Sequence, residues 1–156
     1  MIQYESIKKA LGVDIAVSPE MADAIYRWQR MYRNKPPWLS KDVKGLNLPA
    51  AISSEFARLV TNEAKIEISG SPRAEFIDEI LTGFRSNLRK YVEYAGAAGG
   101  ICFKPYPSGD TVAVDVVRAG NCYPTEFDSS GAMTGAIFPE FKIGRASCRE
   151  RVFSAV

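Results

Sequence analysis

From Met21 to Tyr32 the apolar residues Met21, Ala24, Ile25, Trp28, Met31 and Tyr32 recur at steps of three and four. That is the period of a helix burying one face. Ser18 can accept from the orphan N–H groups of the first turn, and Pro19 suits the first helical position. Glu20 and Asp23 place acid at the positive end of the helix dipole. Asn34, ahead of Lys35-Pro36-Pro37, ends the pattern, which predicts a helix over about 18–34. A shorter helix over residues 4–11, closed by Gly12, precedes it. After a connector from Pro36 to Leu48, a second helix over about 49–62 follows, with Pro49 near its start and Ile52, Phe56, Leu59 and Val60 on one face. Lys65-Ile66-Glu67-Ile68-Ser69 alternates polar with apolar and predicts a half-buried strand.

Ser71-Pro72 repeats the opening chemistry of the first helix. The apolar stripe Phe76, Ile77, Ile80, Leu81, Phe84, Leu88, Tyr91, Val92 and Ala95 extends this helix over about 71–95. Gly83 inside it costs about 1 kcal/mol against Ala and reads either as a point of close packing or as a tolerated flaw. Beyond Gly96-Ala97-Ala98-Gly99-Gly100 the period changes from 3.6 to 2. Residues 101–106 and 111–117 are strands around the turn Ser108-Gly109-Asp110. Residues 122–127 are extended, Asp128-Ser129-Ser130-Gly131 turns, and Met133 to Phe138 pairs back. Helices followed by antiparallel strands and hairpins, over about 101–140, define an α+β fold.

Composition narrows the chemistry. With 156 residues, 46% hydrophobic and 24% charged, the chain is one domain or a piece of one, with enough length for a packed core. It contains no His, which excludes Ser/His and Cys/His pairs and any His-ligated metal. Three widely spaced Cys fit neither a disulfide scaffold nor a zinc knuckle. No apolar run approaches the roughly 18 residues of a membrane span, and the first residues lack a signal-peptide pattern. A soluble protein with no catalytic site, no metal and no cofactor is expected.

The run Ile143–Val152, IGRASCRERV, stands apart: it is Arg-dense and has no structural period. Codon for codon it translates ATC GGA AGA GCG TCG TGT AGG GAA AGA GTG, which resembles a sequencing-library adapter. Residues 143–156 are therefore expected to be a non-biological tail, and residues 1–142 a truncated N-terminal portion of a longer protein. The tail's three Arg and one Glu account for the whole net charge of +2, leaving 17 basic and 17 acidic residues in 1–142.

Few side chains form a recognisable site. Arg27, Arg30 and Arg33 alternate with aromatics in YRWQRMYR, which reads as a solvated helix face, a nucleic-acid contact or a source of subunit salt bridges. The neutrality of 1–142 weakens the nucleic-acid reading. The glycine-rich run 96–100 lacks a following Lys-Ser/Thr and leads from helix to strand, so it reads as a turn and not a phosphate cradle. Pro36-Pro37-Trp38-Leu39 reads as a rigid corner anchored by Trp38. Asp115, Glu126 and Asp128 are scattered carboxylates, the last fitting a turn, and Cys102 reads as a small buried hydrophobe.

The string goes further than its composition. Trp28–Leu39 (WQRMYRNKPPWL) resembles the N-terminal region of tailed-bacteriophage portal proteins, especially those of siphophages infecting Gram-positive bacteria. Leu46-Asn47-Leu48-Pro49 with Arg58–Glu63, the run Gly99–Tyr106, and Val116–Asp128 are similar to the same family in order and spacing. Together these cover most of residues 20–140. The resemblance implies a virion protein assembled in the host cytoplasm. It implies a homo-oligomeric ring, typically of twelve subunits, through which genome DNA is packaged. Terminase, the major capsid and scaffold proteins and the head-completion proteins are the implied partners, with no membrane and no catalytic residue. The matched part belongs to the outer wing, so the DNA-lined stem and the terminase-binding clip would lie further along the family's chain.

Overall fold

The computed structural model describes residues 2–139 and 151–154. Residues 140–150, which carry most of the adapter-like run, lie outside the described residues, as do 155–156. Six helices and five strands are described, with the helices preceding the strands, so the fold is α+β as the periodicity predicts.

The helices are α1 (Ile2–Leu11), α2 (Pro19–Tyr32), α3 (Leu48–Thr61), α4 (Pro72–Ile80), α5 (Thr82–Ser86) and α6 (Leu88–Ala98). The strands are β1 (Ile101–Ser108), β2 (Thr111–Arg118), β3 (Tyr123–Phe127), β4 (Met133–Phe138) and β5 (Arg151–Ser154). The chain divides into two compact units, Trp28–Arg118 and the pair of segments Met1–Arg27 with Ala119–Val156.

In the unit Trp28–Arg118, the end of α2 is closed as its sequence predicts. The Asn34 N–H donates to Met31 O and the Lys35 N–H to Arg30 O, at 3.0 and 2.8 Å. That is a Schellman closure, with Asn34 at φ 54° where Gly is the usual occupant. Helix α3 packs on α6 through small residues, with Ala57 fully buried and Ser53 nearly so. Small side chains let two backbones approach, and Phe56 lies against Gly96 at the same contact. The hairpin β1–β2 is antiparallel from Ile101↔Arg118 to Ser108↔Thr111, turning at Gly109 with φ 62°. Phe84, Tyr91 and Phe103 gather at centroid distances of 5.1 to 6.1 Å, joining α5 and α6 to β1.

Two expectations need correction in this unit. The helix predicted over 71–95 is three helices, broken at Leu81 and Asn87, whose ψ values are −6° and 1°. The Ser86 hydroxyl and the Asn87 amide donate back to Thr82 O and Gly83 O, both at 3.0 Å, and so compete with the backbone ladder. The Leu81, Arg85 and Tyr91 N–H groups still reach the carbonyls four residues back, so the helical path continues through both breaks. Gly83 faces open space, which settles it as a tolerated flaw. The strand predicted over 65–69 is irregular chain with no ladder partner among the described residues. Its Ile68 N–H is satisfied by the Asp78 carboxylate at 2.9 Å instead.

In the other unit, Ser18 caps α2 by accepting from the Met21 N–H at 3.2 Å. Strands β3, β4 and β5 form an antiparallel sheet in that order. A bulge interrupts β3 beyond Pro124, and a Cβ at Gly135 would come within 2.5 Å of Thr125 Oγ1, so the bare glycine makes room for it. The core is the pair Tyr123↔Ile137, 0% and 2% exposed, flanked by buried Ala136 and Phe138. The β4–β5 ladder is a backbone pairing, and a free strand edge accepts extended chain of any sequence.

Candidate functional site

The best-connected polar cluster lies where α2, α6 and β2 end, inside the unit Trp28–Arg118. Tyr32 comes from the apolar stripe of α2, Glu93 and Tyr94 from α6, and Arg118 is the last residue of β2. The Tyr32 hydroxyl donates to Glu93 Oε1 at 2.6 Å. Burial, followed by this bond and the Glu93 charge, pushes the Tyr32 phenol up to about 12. The Tyr32 and Tyr94 rings meet edge to face at 6.1 Å. The Arg118 guanidinium lies 4.0 Å from the centre of the Tyr94 ring, a close cation–π contact. The cavity among these groups holds only about 20 Å³, enough for one water and no substrate. With its phenol held protonated, the cluster is a pin between elements.

A larger space lies elsewhere in the same unit. A cavity of about 450 Å³ opens between the end of α3, the connecting segment Ala64–Glu67 and the start of α6. Lys65, Arg85 and Arg89 line it, with Glu67 the carboxylate on its wall. Arg85 is ion-paired to Asp78, and that guanidinium with the Ile68 N–H holds the Asp78 carboxyl below its ordinary range.

The arginines singled out from sequence serve different ends. Arg27 is exposed on α2. Arg30 donates through Nε to Lys35 O at 3.0 Å, reinforcing the closure of the helix. Arg33 lies past the last residue of α2 and lines the small cavity beside Tyr32.

The carboxylates take structural roles. Asp115 sits opposite Lys104 across the β1–β2 hairpin, 3.6 Å from its ammonium. Asp128 accepts from Ser130 Oγ and from the Ser130 and Ala132 N–H groups at 2.6 to 2.9 Å, and these bonds hold its carboxyl below the ordinary range. This is the turn role its position predicts. Among the described residues no three His, Cys, Asp or Glu side chains gather as a metal site. Cys102 and Cys122 are half-buried, so Cys102 is less enclosed than expected.

The corner at Pro36–Leu39 is anchored differently from its prediction. Trp38 is 59% exposed, while Pro36 is buried and the Leu39 side chain reaches Gly45. Gly99 closes α6 in the left-handed region at φ 82°, and a Cβ there would stand 3.3 Å from the Trp28 ring. The glycine-rich run is thus a helix terminus packed under an indole.

Comparison with family models, with curated proteins and with solved structures finds no match. Among the described residues no helix is long and apolar enough to cross a membrane. The most prominent surface is the outer face of α3. Leu48, Ile52, Phe56 and Leu59 recur at helical spacing, yet all are exposed, Ile52 by 66% and Leu59 by 61%. The apolar residues that the sequence places on one face of α3 are exposed, while Ser53 and Ala57 form its buried edge. Glu93 and Arg118 escaped sequence reading because neither stands in a periodic pattern. The Arg118–Tyr94 contact spans a whole hairpin, and no local signal marks it.

Proposed function

We propose that this chain is the N-terminal, wing-like part of a tailed-bacteriophage portal protein, a homo-oligomeric virion component that assembles in the host cytoplasm. The observation that carries the proposal is the exposed apolar stripe on α3, held on a rigid α3–α6 pair. A ring subunit meets its neighbours through two different patches, and lateral apolar surface on a stiff support suits that task. The resemblance of Trp28–Leu39, Gly99–Tyr106 and Val116–Asp128 to portal segments supplies the family. Under this reading residues 1–142 continue into a stem and clip, and 143–156 are adapter-encoded. Terminase, the capsid and head-completion proteins and the DNA in transit are partners of the whole ring.

The alternative, a nucleic-acid-binding module using Arg27, Arg30 and Arg33, is the weaker reading. Arg30 is committed to closing its own helix. The parent DNA decides between them. A reading frame that continues past Phe141, with a terminase large-subunit gene just upstream, is the expected result. Metabolic genes on both sides would overturn the portal assignment.

A further inference from the structure

The segment Lys65–Ser69 has the alternation of a strand, lies outside every helix, and has no strand beside it among the described residues. Apart from the Ile68 N–H, held by Asp78, its backbone groups make no hydrogen bond to another described residue. Unpaired strand backbone is a template for pairing with another chain. The same segment forms one wall of the 450 Å³ cavity. The facing wall carries Arg85 and Arg89. The Arg85 Nε–H is buried and has no acceptor among the described residues. Lys65 makes no ion pair with a described residue, so Glu67 is outnumbered by cations on the cavity wall. Ile66 and Leu88 supply its apolar contact.

From this geometry we infer that the groove is a docking site for an extended peptide segment in which acidic and apolar residues alternate, added as a strand along Lys65–Ser69. The cations answer the acidic side chains, Ile66 and Leu88 answer the apolar ones, and the free backbone supplies the ladder. A nucleic acid would meet the same cations but could not continue a β-ladder along the backbone. The inference is independent of the portal reading, because it rests on the groove alone.

The test is fluorescence anisotropy of the 156-residue chain with labelled eight-residue probes. A Val-Glu repeat should bind saturably, and a Val-Lys repeat at least tenfold more weakly. A Val-Glu probe N-methylated at alternate residues, unable to pair along one edge, should lose binding. The double variant Lys65→Glu with Arg89→Glu changes two exposed side chains and should weaken the Val-Glu probe at least tenfold while leaving the circular dichroism unchanged. No binding of the Val-Glu probe, equal binding of both repeats, or full retention by the N-methylated probe would overturn the inference. So would displacement of the bound Val-Glu probe by duplex DNA with equal affinity for wild type and the double variant.

Discussion

The β3–β4 hairpin and helix α3 use similar apolar content to opposite ends. In the hairpin, Tyr123 and Ile137 stand opposite each other and are closed off from water, with Ala136 and Phe138 beside them. In α3 the large apolar residues face outward, and the buried contact is made by Ala57 and Ser53. The hairpin closes Tyr123, Ile137 and Phe138 off from water. The helix spends its small residues on close approach to α6 and leaves Leu48, Ile52 and Leu59 exposed. Contiguous exposed apolar surface of this kind marks an interaction site more often than a stable free surface. The contrast therefore separates what holds the chain folded from what it offers to others.

The sharpest way to break the comparison is to cut the hairpin core. Ile137→Ala should lower stability by about 2–5 kcal/mol, read as a fall in urea midpoint, because the site is closed and leaves a cavity. Loss below about 1 kcal/mol would show that the pair is not the core. Overpacking the α3–α6 contact with Ala57→Leu should lower stability by about 1–3 kcal/mol in the same assay. Ser71, whose hydroxyl accepts from the Ala74 N–H at 3.1 Å, caps α4, and Ser71→Ala should lower stability by about 1 kcal/mol. Changing Ile52 and Leu59 to Ser should alter stability by less than about 0.5 kcal/mol, since both are already wet. A large loss there would mean that the α3 face is buried in solution.

The titrating groups sharpen the picture through pH. Asp78 and Asp128 are held below their ordinary carboxyl range in the folded protein. The unfolded chain then binds protons more readily. Their contribution is present above the ordinary carboxyl value and disappears as pH falls through the lower folded values. Asp128→Asn should flatten that acid limb of the stability profile. Tyr32 has the opposite sign, its folded value raised to about 12. Its contribution is full below the ordinary tyrosine value of about 10 and is lost as pH rises towards 12. Tyr32→Phe should remove that alkaline limb, followed by denaturant melts across this window.

Much of the fold was legible because its signals are local. Ser18-Pro19, Ser71-Pro72, Asn34, Gly109 and Asp128 act within a few residues of themselves, and each lies where cap and turn chemistry places it. The failures are tertiary. Residues 65–69 alternate correctly, but a strand needs a neighbour, and alternation carries no information about whether one exists. The break at Asn87 goes with the Ser86 and Asn87 side chains donating to carbonyls four residues back, which an apolar stripe does not register. Trp38 seemed an anchor by size, yet the corner is held by Pro36 and Leu39. Of the site residues, the arginines were located but not their roles. Arg30 in particular needed the closed geometry of Lys35 to declare itself a cap.

Sedimentation velocity across a range of concentrations tests the central claim, that the α3 face is an assembly surface. The weight-average mass of the wild-type chain should rise with concentration. The double variant Ile52→Glu with Leu59→Glu should remain at the monomer mass, with its circular dichroism and urea midpoint unchanged. A wild-type chain that stays monomeric throughout, or a variant that associates as strongly as wild type, would contradict it.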